Sequence, residues 1–305
     1  MGLSVRETRL LIEQHIHGAY GVDFNKSNAD DIVWLSHKLF EHGIGGYFPT
    51  LVTDDISNIK RQIKEIKKAA EVVETRCAKI LGVHLEGIFI NPEKKGIHNP
   101  NYILPLAIKN YKLIEDDFIK IITLAPELDK GLVPYLLEKG IKVQAGHCVS
   151  GDLHNVKGVT HLFNAMEGVS HRTKSTALTA LLDDNLYTEI IGDGIHLSSE
   201  ILSLIMEIKA QDKIILISDA LPITNSDISE TIFADEKIFY NGEKAVSKTG
   251  TLAGSTTLLD GVVRNLYKLG LFNERFIDNP YDYHGVRLDG KIIWDDEFNI
   301  LEVIE

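Results

Sequence analysis

The chain has 305 residues and a formal net charge of −12, from 32 Lys and Arg against 44 Asp and Glu. That balance excludes non-specific nucleic-acid binding, which needs basic surface to displace counterions, yet leaves room for a small anionic substrate, since a few cations inside one cleft dominate locally. The two cysteines, Cys77 and Cys148, have no CxxC spacing and imply no disulfide framework; with no run matching the roughly 18 apolar residues of a membrane helix or a secretory h-region, the expectation is a soluble cytoplasmic protein.

From the N-terminus, short apolar or β-branched runs alternate with amphipathic stretches, the pattern of βα units. The spacing predicts eight strands over 9–17, 44–52, 80–90, 120–124, 142–147, 158–163, 187–191 and 213–218. Helices are expected between them at 31–42, 56–78, 128–139, 176–184 and 198–209. Segment 56–78 carries apolar residues every three to four positions with charges between, as an outer barrel helix should. Eight such units in series favour a closed (β/α)₈ barrel, which takes about 250 residues, over an open doubly wound sheet. No GxGxxG or Walker-type loop supports the open form. After the eighth strand, 232–251 reads as strands joined at Asn241-Gly242, a hairpin signal. A helix over 256–269 follows, and from Asn279 onward the chain reads as turn-rich and then extended. The domain reading is a barrel over 1–272 with an inserted hairpin at 232–252, then a reduced C-terminal β appendage over 273–305.

Barrel enzymes build their active sites at the C-terminal ends of the strands. The first predicted strand ends in His15-Ile16-His17, and side chains two apart on a strand share a side. The third carries Glu86 in GVHLEG, the fifth ends in Ala145-Gly146-His147, the sixth carries His161 in VTHLFNAM and the eighth ends in Asp219 in LISDA. Each alone is a weak signal, since a strand-end histidine is more often hydrogen-bonded than metal-bound. Five strands presenting such groups at one axial mouth point to a divalent-metal centre, because neutral imidazoles and carboxylates suit zinc, iron and similar ions. His15, His17, Glu86, His147 and His161 offer up to five ligands, enough for two adjacent ions bridged by Glu86. One ion or two is open, with zinc the first expectation and iron or another divalent ion the alternatives. Metal binding drops the pKa of water toward about 7. Asp219 takes the proton from that water and returns it to a leaving amine, so the chemistry expected is hydrolysis of a C–N bond.

In order along the chain, HIHG (15–18), HLEGIFINPEKKGIHNPNY (84–102), LAPE (124–127), AGHC (145–148), THLFNAM (160–166), GDGIH (192–196), ISDA (217–220) and GTLAGS (250–255) resemble the successive motifs of N-acetylglucosamine-6-phosphate deacetylases. The resemblance implies that Glu86, His147 and His161 are metal ligands and that His15 and His17 match the extra pair of the two-metal members. It makes Asp219 the catalytic acid/base and His98 a residue that contacts the sugar and helps polarise the substrate. It implies that Asn164 and Ala165 hold the phosphosugar. Arg172 and His196 match a phosphate-binding pair supplied by the neighbouring subunit, hence an expected homodimer. His84, two before Glu86, is expected either to support a ligand or to pack in the barrel.

The chain also departs from that family. The family's small β-sandwich uses segments on both sides of the barrel, whereas here the first barrel strand starts near Arg9. The last strands, in 291–300, are therefore expected to lack their usual partners, and an unpaired edge invites pairing. Ile88 stands where the family has proline, and Thr173-Lys174-Ser175 where it has Glu-Pro-Gly. Two other readings stand beside the phosphosugar deacetylase: another amidohydrolase reaction, such as N-acyl amino acid deacylation, cyclic amide opening or deamination, and a non-catalytic homologue.

Overall fold

The computed structural model describes residues 5–72 and 74–305. Eight parallel strands make a barrel: Leu11–Ile16, Ile44–Val52, Val83–Glu86, Ile119–Leu124, Lys142–Ala145, Gly158–Val159, Tyr187–Ile191 and Ile214–Ile217. Each pairs in parallel with the next through the series. Helices between them, among them Ala29–Glu41, Ile56–Ala70 and Ser199–Ile208, lay apolar stripes on the outside of the sheet. Among the described residues, no helix is long and apolar enough to cross a membrane.

Three predicted strands are shorter than expected, for one reason. Their last residues leave the ladder in left-handed backbone: Gly87 and Ile88 at φ 103° and 42°, His147 at 48°, His161 and Phe163 at 29° and 73°. The helix expected over 56–78 ends at Ala70, beyond which Glu71 and Val72 face solvent.

The seam between the first and eighth barrel strands is closed by few backbone bonds. Asp219 N–H donates to His15 O at 2.9 Å and His17 N–H to Ala220 O at 2.9 Å. A side chain completes it: buried Glu13 accepts from His15 N–H and from Ser218 N–H, both at 3.0 Å.

Two additions frame the barrel. Over the site end lies an antiparallel sheet of Glu230–Phe233, Glu236–Tyr240, Ala245–Ser247 and Leu252–Gly254. Asn241-Gly242 joins its middle strands as expected, but a further turn at Ala234-Asp235 makes this a four-stranded sheet rather than one hairpin. Its inner face, Phe233, Ile238 and Ala245, packs with Val52 and Ile97 of the barrel end.

The stretch after Asn279 is not turn-rich, because Arg275–His284 is a helix with Pro280 inside it. Proline forfeits one helical hydrogen bond, but the helix buries Phe276, Ile277, Pro280, Tyr281 and Tyr283 against the barrel floor. Tyr281 O–H donates to Leu10 O at 2.8 Å, and Asn279 Nδ2 donates to Ile214 O at 2.6 Å, so this helix spans the bottom of the same seam. Nor are the last strands partnerless. Arg6–Arg9 pairs antiparallel with Lys291–Trp294, which pairs with Ile300–Ile304. Trp294, fully buried, donates from Nε1 to Thr8 Oγ1 at 2.8 Å.

Candidate active site

Glu86, at the end of the third barrel strand, sits at the centre of the mouth. Its Oε1 lies 3.1 Å from His147 Nε2, 2.8 Å from His161 Nε2 and 3.5 Å from His15 Nε2. Its Oε2 lies 3.2 Å from His17 Nε2 and 3.6 Å from His98 Nε2. Asp219 Oδ1 faces His17 Nε2 at 3.1 Å and His15 Nε2 at 3.3 Å. Three groups of converging ligand atoms result among the described residues: Glu86 with His147 and His161, His15 with His17 and Asp219, and, behind His15, His15 with His84 and Glu189. His147, His161 and Asp219 all take left-handed backbone (φ 48°, 29° and 54°). For non-glycine residues this costs on the order of 1–3 kcal/mol each, and it turns the three side chains from the strand direction into the mouth.

The ring nitrogens decide whether a metal fits. His17 Nδ1 faces Thr50 O at 3.2 Å, His147 Nδ1 faces Lys94 O at 2.8 Å, and His15 Nδ1 faces a carboxylate of Glu189 at 3.0 Å. A carbonyl or carboxylate oxygen accepts only, so each Nδ1 carries a proton, and Nε2, turned toward the centre, is the nitrogen available to ligate. His147 Nε2 and His161 Nε2 stand 3.2 Å apart, and buried His15 Nε2 has no hydrogen-bond partner. Ring nitrogens converging on one another beside two carboxylates fit a divalent cation.

The carboxylates favour positive charge at the same place, whether as protons on these rings or as a cation between them. Burial works against a charged His15, but Glu86, Glu189 and Asp219 outweigh it and hold its pKa well above the ordinary value. Burial likewise opposes charge on His17, yet hydrogen bonds to Asp219 and Glu86 bring its pKa up to about 9. Burial alone would raise Glu86 and Asp219; the facing histidines, His15 first, hold both carboxylates low instead. The cluster is built around positive charge.

A cavity of about 330 Å³ opens above these groups. Besides His17, Glu86, His147, His161 and Asp219 it is lined by His98, Asn164, Ala165, His196, Lys94 and Phe233. His98 is braced through Nδ1 on Thr53 Oγ1 at 2.8 Å. Asn164 spends its amide N–H groups on His161 O and Leu162 O, bracing the loop that carries His161. His196, expected to reach a neighbouring subunit's site, lines the cavity of its own chain. Its Nδ1 bonds Asp193 Oδ2 at 2.8 Å, and burial, which opposes its charge, is outweighed by Asp193, so its pKa is raised. Arg172 does not line this cavity; it is exposed, with Nε donating to His171 Nε2 at 2.9 Å. Lys174 is exposed as well.

His84 bonds Gln14 O at 2.9 Å and Thr123 Oγ1 at 2.8 Å, so both ring nitrogens are spent inside the barrel. Three residues here escaped the sequence reading: Glu13, Glu189 and Asp193. Glu13 carried a signal, since the alternation of His15 and His17 extends back to it; Glu189 is a lone acid inside an apolar strand, and Asp193 lies within the GDGIH motif.

No family model matches the chain. It is 31% identical over 270 residues to an N-acetylglucosamine-6-phosphate deacetylase of Bacillus subtilis, covering 84% of this chain and 68% of the relative. It is 28% identical over 291 residues to an N-acetylgalactosamine-6-phosphate deacetylase of Escherichia coli O157:H7, covering 88% and 75%. Among solved structures, the N-acetylglucosamine-6-phosphate deacetylase of Thermotoga maritima superposes with a TM-score of 0.89 at 25% identity, over 98% of this chain and 87% of that one. That of Pasteurella multocida gives 0.88 at 25% identity, over 98% and 84%.

Proposed function

The chain belongs to the N-acetylglucosamine-6-phosphate deacetylase family, and from that premise we propose that it hydrolyses the N-acetyl group of N-acetylglucosamine 6-phosphate, or of a close phosphorylated amino sugar, to acetate and the free amine. The observation that carries this is the convergence of four imidazole Nε2 atoms on Glu86 beside Asp219, beneath a cavity whose wall holds His196. Glu86, His147 and His161 would hold one divalent ion, and His15 and His17 with Asp219 a second beside it, zinc being the first choice and iron the alternative. An ion bound there supplies Lewis acidity, which eases deprotonation of water and polarises the acetyl carbonyl.

The chain's own groups do the rest. Asp219, kept ionised by His15 and His17, accepts the proton of the attacking water and passes it to the amine nitrogen as the C–N bond breaks. His98, its Nδ1 tied to Thr53, presents Nε2 to the cavity beside Glu86 and orients the acyl group. His196, its charge favoured by Asp193, offers a cationic donor to an anionic substrate. In a homodimer, exposed Arg172 would add its donor fork to the phosphate in the neighbouring subunit. We place the enzyme in the cytoplasm.

The test is acetate release by metal-replete protein from N-acetylglucosamine 6-phosphate and N-acetylgalactosamine 6-phosphate, with the unphosphorylated sugar and an Asp219→Asn variant as controls. Release from a phosphosugar that vanishes in the variant supports the proposal. The position of Arg172 outside the cavity favours a rival, an N-acyl amino acid deacylase, so N-acetyl amino acids belong in the same assay. A metal-loaded protein that releases acetate only from those overturns the phosphosugar reading. For the dimer, Arg172→Ala should raise KM with kcat nearly kept, and mixing it with Asp219→Asn should restore one competent site per mixed dimer.

A further inference from the structure

We infer that Glu189 is a positioning residue for the metal centre: by fixing the ring of His15 it creates the His15–His17–Asp219 subsite, while the Glu86–His147–His161 subsite stands largely without it. The inference rests on the reading of these residues as a divalent-metal centre.

Glu189 lies in the middle of the seventh barrel strand, Tyr187–Ile191, and is buried. Both carboxylate oxygens are committed. Oε2 accepts from His15 Nδ1–H at 3.0 Å and from His161 N–H at 3.2 Å. Oε1 accepts from Gln14 Nε2 at 2.6 Å, and Gln14 Oε1 lies 2.8 Å from His284 Nε2. A line of hydrogen bonds therefore runs from the floor helix, Arg275–His284, up the barrel interior to His15.

At the far end of that line, His15 Nε2 is buried and points between Asp219 Oδ1 (3.3 Å) and Glu86 Oε1 (3.5 Å) without a hydrogen bond to either. A ring held only by its neighbours would rotate to satisfy that nitrogen. Its orientation is imposed from behind, and Glu189 is the group that imposes it. A carboxylate behind a ligand histidine also raises the basicity of the ligating nitrogen, and losing such a partner typically weakens metal affinity by about 10–100-fold.

The contacts of Glu189 to the two subsites differ. It holds the ligating ring of His15, but touches His161 through the backbone alone, and His147 is braced independently on Lys94 O. Loss of Glu189 should therefore loosen one ion far more than the other.

The experiment titrates metal-free wild type, Glu189→Ala and Glu189→Gln with Zn²⁺ by calorimetry and with Co²⁺ by visible absorption, alongside urea unfolding of each metal-free form. We expect wild type to bind two ions. Glu189→Ala should keep the tighter ion within about threefold and lose about 10–100-fold in affinity for the other, removing one of the two Co²⁺ absorption components. Glu189→Gln, whose carbonyl still accepts from His15 but without charge, should weaken the same ion several-fold. If Glu189→Ala does not fold, the Glu189→Gln titration decides. Parallel weakening of both ions would mark a general structural role and overturn the inference, as would unchanged titrations or a wild type that binds a single ion. A wild type that binds no ion would also remove the metal reading itself.

Discussion

Replacing Glu13 with alanine isolates the cost of sealing the barrel. Its two oxygens satisfy His15 N–H and Ser218 N–H across the seam, each at 3.0 Å and out of reach of solvent. Truncation leaves both donors buried and unpaired, at about 1–3 kcal/mol each, so the loss falls between about 2 and 6 kcal/mol. Burial also pushes the Glu13 carboxyl up to about 8, which shows that the group is itself costly to bury; removing it offsets part of the loss and places the expectation near the lower end. Against a typical 5–15 kcal/mol of total stability that is still a large fraction. Glu13→Gln keeps one acceptor and turns an NH₂ toward the other donor, so it should cost roughly half as much as Glu13→Ala. The assay is urea unfolding of the metal-free protein, reading the midpoint with the slope held in view. An alanine variant within about 0.5 kcal/mol of wild type, or a glutamine variant as damaged as the alanine one, would refute the account.

The other predictions concern separate parts of the molecule. Asp219→Asn should cut kcat by about 10²–10⁴-fold while the ion of the Glu86–His147–His161 subsite, which Asp219 does not line, is retained as read by elemental analysis. Lys209, buried with its ammonium on Ala180 O and Asp183 O, is pushed down to about 8 by burial. A lysine whose folded pKa lies below its unfolded value binds fewer protons when folded, so its contribution is complete above about 10.5 and is lost as pH falls through 8. Relative to Lys209→Met, wild type should therefore gain stability, on the order of 2–3 kcal/mol, between pH 8 and pH 10.5, measured by urea unfolding. Trp294→Ala should cost about 3–5 kcal/mol, and fluorescence should lose its buried component, leaving the half-exposed Trp34. In the native protein a thiol reagent should modify Cys77 slowly and leave Cys148, fully buried and pushed up to about 12 by that burial, untouched until unfolding.

The gathering of the candidate ligands was legible because it follows from two regularities: side chains two apart on a strand share a side, and barrel sites gather at strand ends. His15, His17, Glu86, His147, His161 and Asp219 fall together accordingly. What hid was the support. Glu189 and Glu13 look from sequence like stray acids in apolar strands, and their meaning comes from partners 174 and 205 positions away, at His15 and Ser218. The strand ends at residues 86, 145 and 159 were blurred because left-handed backbone at non-glycine residues has no compositional mark. Helix 275–284 was masked by Asn279-Pro280, a turn signal that the burial of Phe276, Tyr281 and Tyr283 overrides. Among the candidate substrate-binding residues, Arg172 is the one that a single chain leaves outside the cavity.

The floor helix and the three-stranded sheet also bear on the order in which the molecule assembles. Leu10 is bonded to Tyr281 across 271 positions, and Thr8 to Trp294 across 286. Contacts that close loops of this length carry a large entropic toll and form after local ones. Helices and neighbouring strands from Ala29 to Lys268 can dock on one another in sequence, but the first strand has no cover on its lower end until residues 275–294 arrive. Until then an apolar strand edge lies open, so the stage just before closure is the one most prone to association between chains.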